Sequence, residues 1–387
     1  MKLQFLSVFV HECRTRTLIT GNGEGRPFVT QIDHLYERCD HPKESAMSTM
    51  TFGTHEVRRA HVATMRLVAT ALESRPFDGP ESDLVRMFAG LIGCAGCHGF
   101  EESLDFSDLL GVSSPWATIE EAIAEIGSLL ANQAERIDAV NAGQLVAMFA
   151  EEPDREALEA AREIARGLGC DDTLIEMVLA VANESAATAK ADLFRRFLSE
   201  RIDVEAETIR QHMDRHDLAS ITRPPTIERY HRLIAEAPPG SLGAEMRRFY
   251  DDASFDIPGA PGVPLPVEFL GSHDVHHVLA AYDTSAQGEA YTAVFNAGNS
   301  SAGIGWLTVV LLQWHQGIKL GVFPEGHSHL DPAMVADAVL RGNQTSTDVY
   351  DAHWDWMALL SEPLDEVRAS LGIPAGGQVV AGGHWGP

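Results

Sequence analysis

The sequence predicts an all-α protein, with an N-terminal helical domain followed by a helical domain that carries a metal motif. Three observations predict it. Apolar residues recur at three- and four-residue steps through much of 54–215, the period of helices that bury one face. A second helical stretch follows Arg223-Pro224-Pro225, where proline disfavours helix in the residue before it and stiffens the chain. Of 387 residues, 45% are hydrophobic and 22% charged, the balance of a folded chain long enough for two cores.

Residues 1–46 are rich in Gly, Thr, Arg and Cys and lack sustained periodicity, so they read as a poorly ordered tail or start extension. Their apolar run ends at His11, Glu12 and Cys13 without a small-residue cleavage site, which argues against a secretory signal. Residues 47–215 form a helical domain of unassigned role, with helical periods over 57–72, 83–100, 118–131 and 155–168. Pro153 and Asp154 start the last of these, and Gly167 and Gly169 end it. Over a short span, 154–178 resembles a tellurite-resistance-type helical domain, and no function is taken from that likeness.

Residues 216–375 form the second domain, with a Pro-rich loop at 257–266 and a flexible tail at 376–387. The run 302–314 is apolar nearly all round. At ~1.5 Å per residue it reaches only ~20 Å, short of a ~30 Å hydrocarbon layer, so it predicts a buried helix that packs the core or lines a lipid tunnel.

Charge and cysteine content exclude two classes. Lys and Arg total 29 against 56 Asp and Glu, a net charge of -27 that repels a phosphate backbone and rules out nucleic-acid partners. Five irregularly spaced cysteines make no disulfide framework and fit a reducing, cytoplasmic setting. Between Arg195 and Arg248 lie ten arginines interleaved with nine acidic residues, which reads as ion pairing with some scope for a membrane-facing patch.

Two motifs could carry chemistry. Cys94-Ala95-Gly96-Cys97-His98 matches the c-type haem attachment pattern, but it sits in a continuous apolar helical run and lacks a second cysteine pair for zinc. It reads as close packing. The second motif begins at Gly271-Ser272-His273-Asp274-Val275-His276-His277. Residues four apart share a helix face, so His273 and His277 can point at one ion, while His276 points elsewhere. Asp274, about 100° round from His273, can bend in as a ligand or orient a histidine. Glu289 follows after a Tyr282-Asp283-Thr284-Ser285 turn, and Thr284 with Gln287 predicts the capping box of the next helix. Two antiparallel helices would bring Glu289 beside the histidines. Two imidazoles with one or two carboxylates suit one divalent ion, zinc first, with iron or manganese as alternatives. His327 and His329, alternating in a Gly-containing loop, read as solvated.

His273-Asp274-x-x-His277, eleven residues and Glu289 resemble the zinc motif of the coenzyme Q biosynthesis protein four family. Pro239-Gly240-Ser241-Leu242-Gly243 upstream resembles a step of that family. Glu362-Pro363-Leu364-Asp365-Glu366-Val367-Arg368 with Leu371-Gly372-Ile373 resembles its C-terminal end. The likeness covers about 223–373, the C-terminal part only. It implies an all-helical fold holding a prenylated aromatic lipid at a membrane surface. It also implies metal ligands at His273, Asp274, His277 and Glu289, and a part in oxidative decarboxylation of the ring during ubiquinone biosynthesis. The chain departs from the family in its large N-terminal part and in His276, where the family carries a bulky apolar or aromatic residue.

The sequence thus leads to a metal-dependent protein of ubiquinone-like quinone biosynthesis, leaning towards a decarboxylase or hydroxylase of a polyprenylated benzoate-like ring. The expected setting is a cytoplasmic homo-oligomer with peripheral contact to the inner face of a membrane and a place in a quinone-biosynthesis complex. Two alternatives are a non-catalytic prenyl-lipid-binding scaffold and an HD-type phosphohydrolase. The latter class shares the adjacent His273-Asp274 pair and needs a further histidine and aspartate, for which His231 and Asp337 are available.

Overall fold

A computed structural model describes residues 118–149, 154–182, 194–199 apart from 196, 201–300, 303–318, 328–380 and 382–386, with six residues of an earlier helix, 60, 63–65 and 67–68. Residues 1–46, the helical period 83–100, Cys94, Cys97, His98 and His327 lie outside the described residues. Among the described residues the protein is helical and has no strand; one isolated bridge joins Ser241 to Pro363.

Four helices come first: α1 (Ile119–Leu129), α2 (Gln133–Met148), α3 (Arg155–Gly167) and α4 (Thr173–Ala182). Their starts follow from capping side chains. Thr118 Oγ1 accepts from the Glu121 amide at 3.3 Å, and Asp154 Oδ1 accepts from the Ala157 amide at 3.0 Å, each satisfying a donor the helix leaves open. α3 buries Ala157, Leu158, Ala161, Ile164 and Ala165, the single stripe that its sequence period requires.

Then come α5 (Ala206–Asp214), α6 (Pro224–Ala235), α7 (Leu242–Ala253), α8 (Val267–Ala280), α9 (Ala286–Asn299), α10 (Gly303–Val310), α11 (Pro332–Gln344) and α12 (Leu364–Leu371). The apolar run predicted as one helix over 302–314 divides: α10 passes into a π-helical turn at Leu311–His315. α9 packs most closely on α11. A Cβ on Gly298 would lie 2.5 Å from the Val339 carbonyl oxygen, so only glycine permits that approach.

Packing runs across the expected boundary at 215. Phe197 stacks on Trp306 with ring centroids 4.6 Å apart. Arg201 donates to the Tyr350 carbonyl (3.2 Å) and to Ser272 Oγ (2.9 Å), and Gln144 Nε2 donates to Thr308 Oγ1 (3.1 Å). Both halves share one continuous apolar core.

The C-terminus corrects an expectation. Residues 376–380 and 382–386 are not a loose tail but a strap across the α8–α9 turn. Trp385 is buried, its ring 5.8 Å from that of Phe249, and its Nε1 donates to Glu245 Oε1 at 2.8 Å. Its carbonyl accepts from the Thr284 amide at 3.1 Å. The Gln378 and Val379 amides donate to the carbonyl of Ala281, a non-glycine residue held at φ 59°. An exposed indole would forfeit its apolar burial, so the strap docks although its glycines carry no helical period.

Candidate metal centre

α8 starts after Pro266 and buries nearly every side chain it has, including Ser272, His273, Asp274, His276 and His277. It ends where Ala281 turns left-handed. The cap of α9 differs from the predicted Thr284–Gln287 box. Ser285 is the N-cap and accepts from the Gly288 amide at 3.1 Å, while Thr284 Oγ1 donates to the Trp385 carbonyl and Gln287 Nε2 to the His329 carbonyl. Both Thr284 and Ser285 can cap; Asp283 decides between them by accepting from the Ser285 amide at 3.0 Å. Glu289 then sits in the first turn of α9, on the side facing α8.

Three side chains converge. His273 Nε2 and His277 Nε2 are 3.1 Å apart, and Glu289 Oε2 lies 3.2 Å from the first and 3.5 Å from the second. Two ligand atoms on a tetrahedral ion at ~2.0–2.1 Å stand roughly 3.3 Å apart, so this triangle has the size of one face of such a site. Glu289 Oε2 is buried and makes no hydrogen bond of proper geometry, although two imidazoles adjoin it. An acceptor orphaned in this way is one a cation completes. These three residues fit a divalent ion.

The histidines are aimed by neighbours. The Tyr282 carbonyl lies 3.1 Å from His277 Nδ1 and can only accept, so Nδ1 carries the proton and Nε2 faces the triad. Thr292 Oγ1 supports the same nitrogen at 3.2 Å. Trp306 meets the His273 ring edge-on at 5.5 Å. Burial works against charge on both imidazoles. It lowers the pKa of His273, whereas the carboxylates of Glu289 and Asp274 overcome it at His277 and raise that one. Burial likewise opposes charge on Glu289, but His277 and His273 hold its carboxyl down at about 2.

Asp274 is not brought to the triad. Its Oδ2 accepts from the Tyr250 hydroxyl at 2.9 Å, and Tyr250 in turn pairs with Tyr230 at 2.6 Å between hydroxyl oxygens. Burial lifts its carboxyl to about 7 against the pull of His277 and Tyr250. His276 is turned away too. Its Nε2 donates to the Val349 carbonyl at 2.9 Å, and its ring lies near-parallel to those of Tyr350 and Trp354, at 6.0 and 6.1 Å. The additional pair a phosphohydrolase would need is engaged elsewhere. His231 Nε2 donates to the Pro258 carbonyl at 2.9 Å, and Asp337 accepts from Tyr282 and the Gly377 amide. His329 is exposed, outside the triad.

Sequence reasoning missed Tyr250, Tyr282, Thr292 and Trp306. Thr292, one turn beyond Glu289, and Tyr282, in the turn that ends α8, lie within local reach of the motif; Tyr250 and Trp306 reach the site only through tertiary packing.

Fold and site together define a helical protein with a two-histidine, one-carboxylate centre on a helical hairpin. No protein-family description, curated protein or solved structure matches this chain.

Proposed function

We propose that this chain binds one divalent cation through His273, His277 and Glu289 and acts on a prenylated aromatic ring in the biosynthesis of a ubiquinone-like quinone. The observation that carries the metal half is the ~3 Å triangle of donors with an orphaned glutamate oxygen. The ring half rests on the resemblance to the coenzyme Q biosynthesis protein four family, and the aromatic surroundings of His273 support it.

A bound cation would supply positive charge to the carboxylate or phenolate oxygens of the ring as the carboxylate leaves. The protein's own groups do the rest. The Tyr282 carbonyl and Thr292 fix the His277 ring so that Nε2 stays in the site. Phe269 and Trp306 keep water from one side of it. Asp274, tied to Tyr250, is read as a positioning group beside His277 and not as a ligand. The oxidative half of the reaction needs dioxygen or a partner protein, in keeping with work in a complex at a membrane surface. No helix among the described residues is long and apolar enough to cross a membrane, and peripheral contact is what the family resemblance implies.

The test is release of carbon dioxide from a ring-carboxyl-labelled prenylated hydroxybenzoate by metal-loaded protein under air. Release that Glu289→Gln abolishes is the expected result. Full metal loading with no release, alone or with a membrane extract, would leave the metal-clamped scaffold as the better reading.

A further inference from the structure

α9 buries a second polar side chain that the protein leaves unsatisfied. Asn296 has no exposed surface, and among the described residues neither its side-chain nitrogen nor its side-chain oxygen has a hydrogen-bond partner. An amide left open at both ends in an interior is costly, and each such group in a folded protein calls for something that completes it.

Its place on the helix says what it faces. Seven residues separate Asn296 from Glu289, two turns less ~20°, so both stand on one side of α9. Thr292, between them, reaches the His277 ring, which identifies this as the side turned to α8. The hairpin is antiparallel, so passing from Glu289 to Asn296 runs back along α8 from His277 and His273 towards Phe269. Aromatic rings wall that stretch. Phe269 lies nearly parallel to His273, at 6.4 Å and 13°, and Trp306 stands edge-on to Phe269 at 6.0 Å and to His273 at 5.5 Å. Two incomplete polar groups, Glu289 Oε2 and the Asn296 amide, therefore bracket an aromatic-walled stretch roughly 10 Å long at ~1.5 Å per residue.

We propose that Asn296 is a specificity-determining residue, whose amide hydrogen-bonds a polar ring substituent of a ligand anchored by its carboxylate at the triad. The proposal rests on the ring-acting reading above. An amide both donates and accepts, so it can pair with a hydroxyl, a phenolate or an ether oxygen. Aromatic walls alone discriminate weakly between a ring with a hydroxyl and one without, whereas a buried polar partner discriminates strongly.

The experiment uses full-length, metal-loaded protein and two probes, 3-geranyl-4-hydroxybenzoate and 3-geranylbenzoate, with binding read from tryptophan fluorescence. The wild type should prefer the hydroxylated probe. Asn296→Leu, similar in volume and apolar, should keep its metal and its melting temperature and bind 3-geranylbenzoate as before. It should lose roughly tenfold for the hydroxylated probe. Asn296→Ser, which keeps a hydroxyl, should retain part of the preference, and it carries the test if the leucine variant fails to fold. A preference unchanged in the variants would overturn the assignment, leave the ring reading standing and make Asn296 the host of a buried water. Metal-loaded wild type that binds neither probe would overturn both.

Discussion

Helix α3 buries one stripe of small and aliphatic residues and leaves its charges in water, whereas α8 buries almost everything it carries, Ser272, His273, Asp274, His276 and His277 included. The two helices differ by a single residue in length, yet their polar groups obey different rules. On α3, Arg162 and Arg166 meet Asp172 and Glu176 of the following turn and helix at the surface, where solvent competes for every charge. On α8 little solvent is at hand, so most buried polar side chains take a partner from another element: Tyr250 for Asp274, Val349 for His276, Tyr282 and Thr292 for His277. Across the hairpin, on α9, Glu289 Oε2 and the Asn296 amide lack such partners, and at Glu289 an ion fits. Removing a polar side chain should therefore cost much on α8 and little on α3.

The largest effect is expected at His277. His277→Ala removes one of two imidazoles from the triad and leaves the Tyr282 carbonyl and Glu289 without it, so bound metal should fall from about one ion per chain to nearly none. The loss of buried hydrogen bonds should also cost about 3 kcal/mol. Elemental analysis beside circular dichroism checks both. His276→Ala should lose stability through Val349 and its aromatic neighbours while keeping the metal. Metal retained in folded His277→Ala would break the proposed centre.

Next is the strap. Removing residues 376–387 deletes a buried tryptophan and the amides that hold Ala281 in its left-handed conformation, so it should cost about 3 kcal/mol and lower the melting temperature by several degrees. Because the strap clamps the turn beside the triad, metal affinity should fall as well. Calorimetry and a competitive chelator titration measure the two effects; unchanged melting would return the strap to a loose tail.

Asp138, on α2, sharpens the comparison from the other half. Burial, aided by Glu135, lifts its carboxyl to about 6. The folded state thus holds this proton more tightly than the unfolded chain, whose aspartate titrates near ~4. The contribution to stability is full below about pH 4, lost as pH rises through about 6, and absent at neutral pH. Asp138→Asn should match wild type at pH 4 and be about 1–2 kcal/mol more stable at pH 7, the discount from the full shift reflecting its partial contact with water. Denaturant melts at the two pH values decide it.

The same contrast explains what could be read from the chain. The extents of α1 and α3, with caps at Thr118 and Asp154, follow from one-sided periodicity and capping residues, because each helix meets water on its other side. The grouping of His273, His277 and Glu289 follows from a four-residue step and a short turn, both local. Asp274 was assigned to the ligand set through the family resemblance, and its tie to Tyr250, 24 residues away, leaves no trace in local spacing. Trp385 sits in a glycine-rich stretch with no period, so its docking against Phe249 depends on a surface formed only once α7 and the hairpin have packed. The cap of α9 shifted by one residue because two adjacent hydroxyls compete and Asp283 settles which is used.

The smallest effect should come from Arg166→Ala. Arg166 is 55% exposed and pairs with Asp172 and with a Glu176 that is 45% exposed, so the pairing energy is shared with water. Arg162 also bonds Asp172, which keeps that carboxylate partnered when Arg166 is gone. What remains to lose is a screened ion pair and the favourable place of a cation in the last turn of α3, together below about 1 kcal/mol. Salt separates this from a packing effect. In roughly 0.5 M sodium chloride the Debye length shrinks to about 4 Å, and most of the difference from wild type should vanish. A loss of several kcal/mol that survives salt would mean that α3 depends on its charges as α8 does, and the distinction between the two helices would fail.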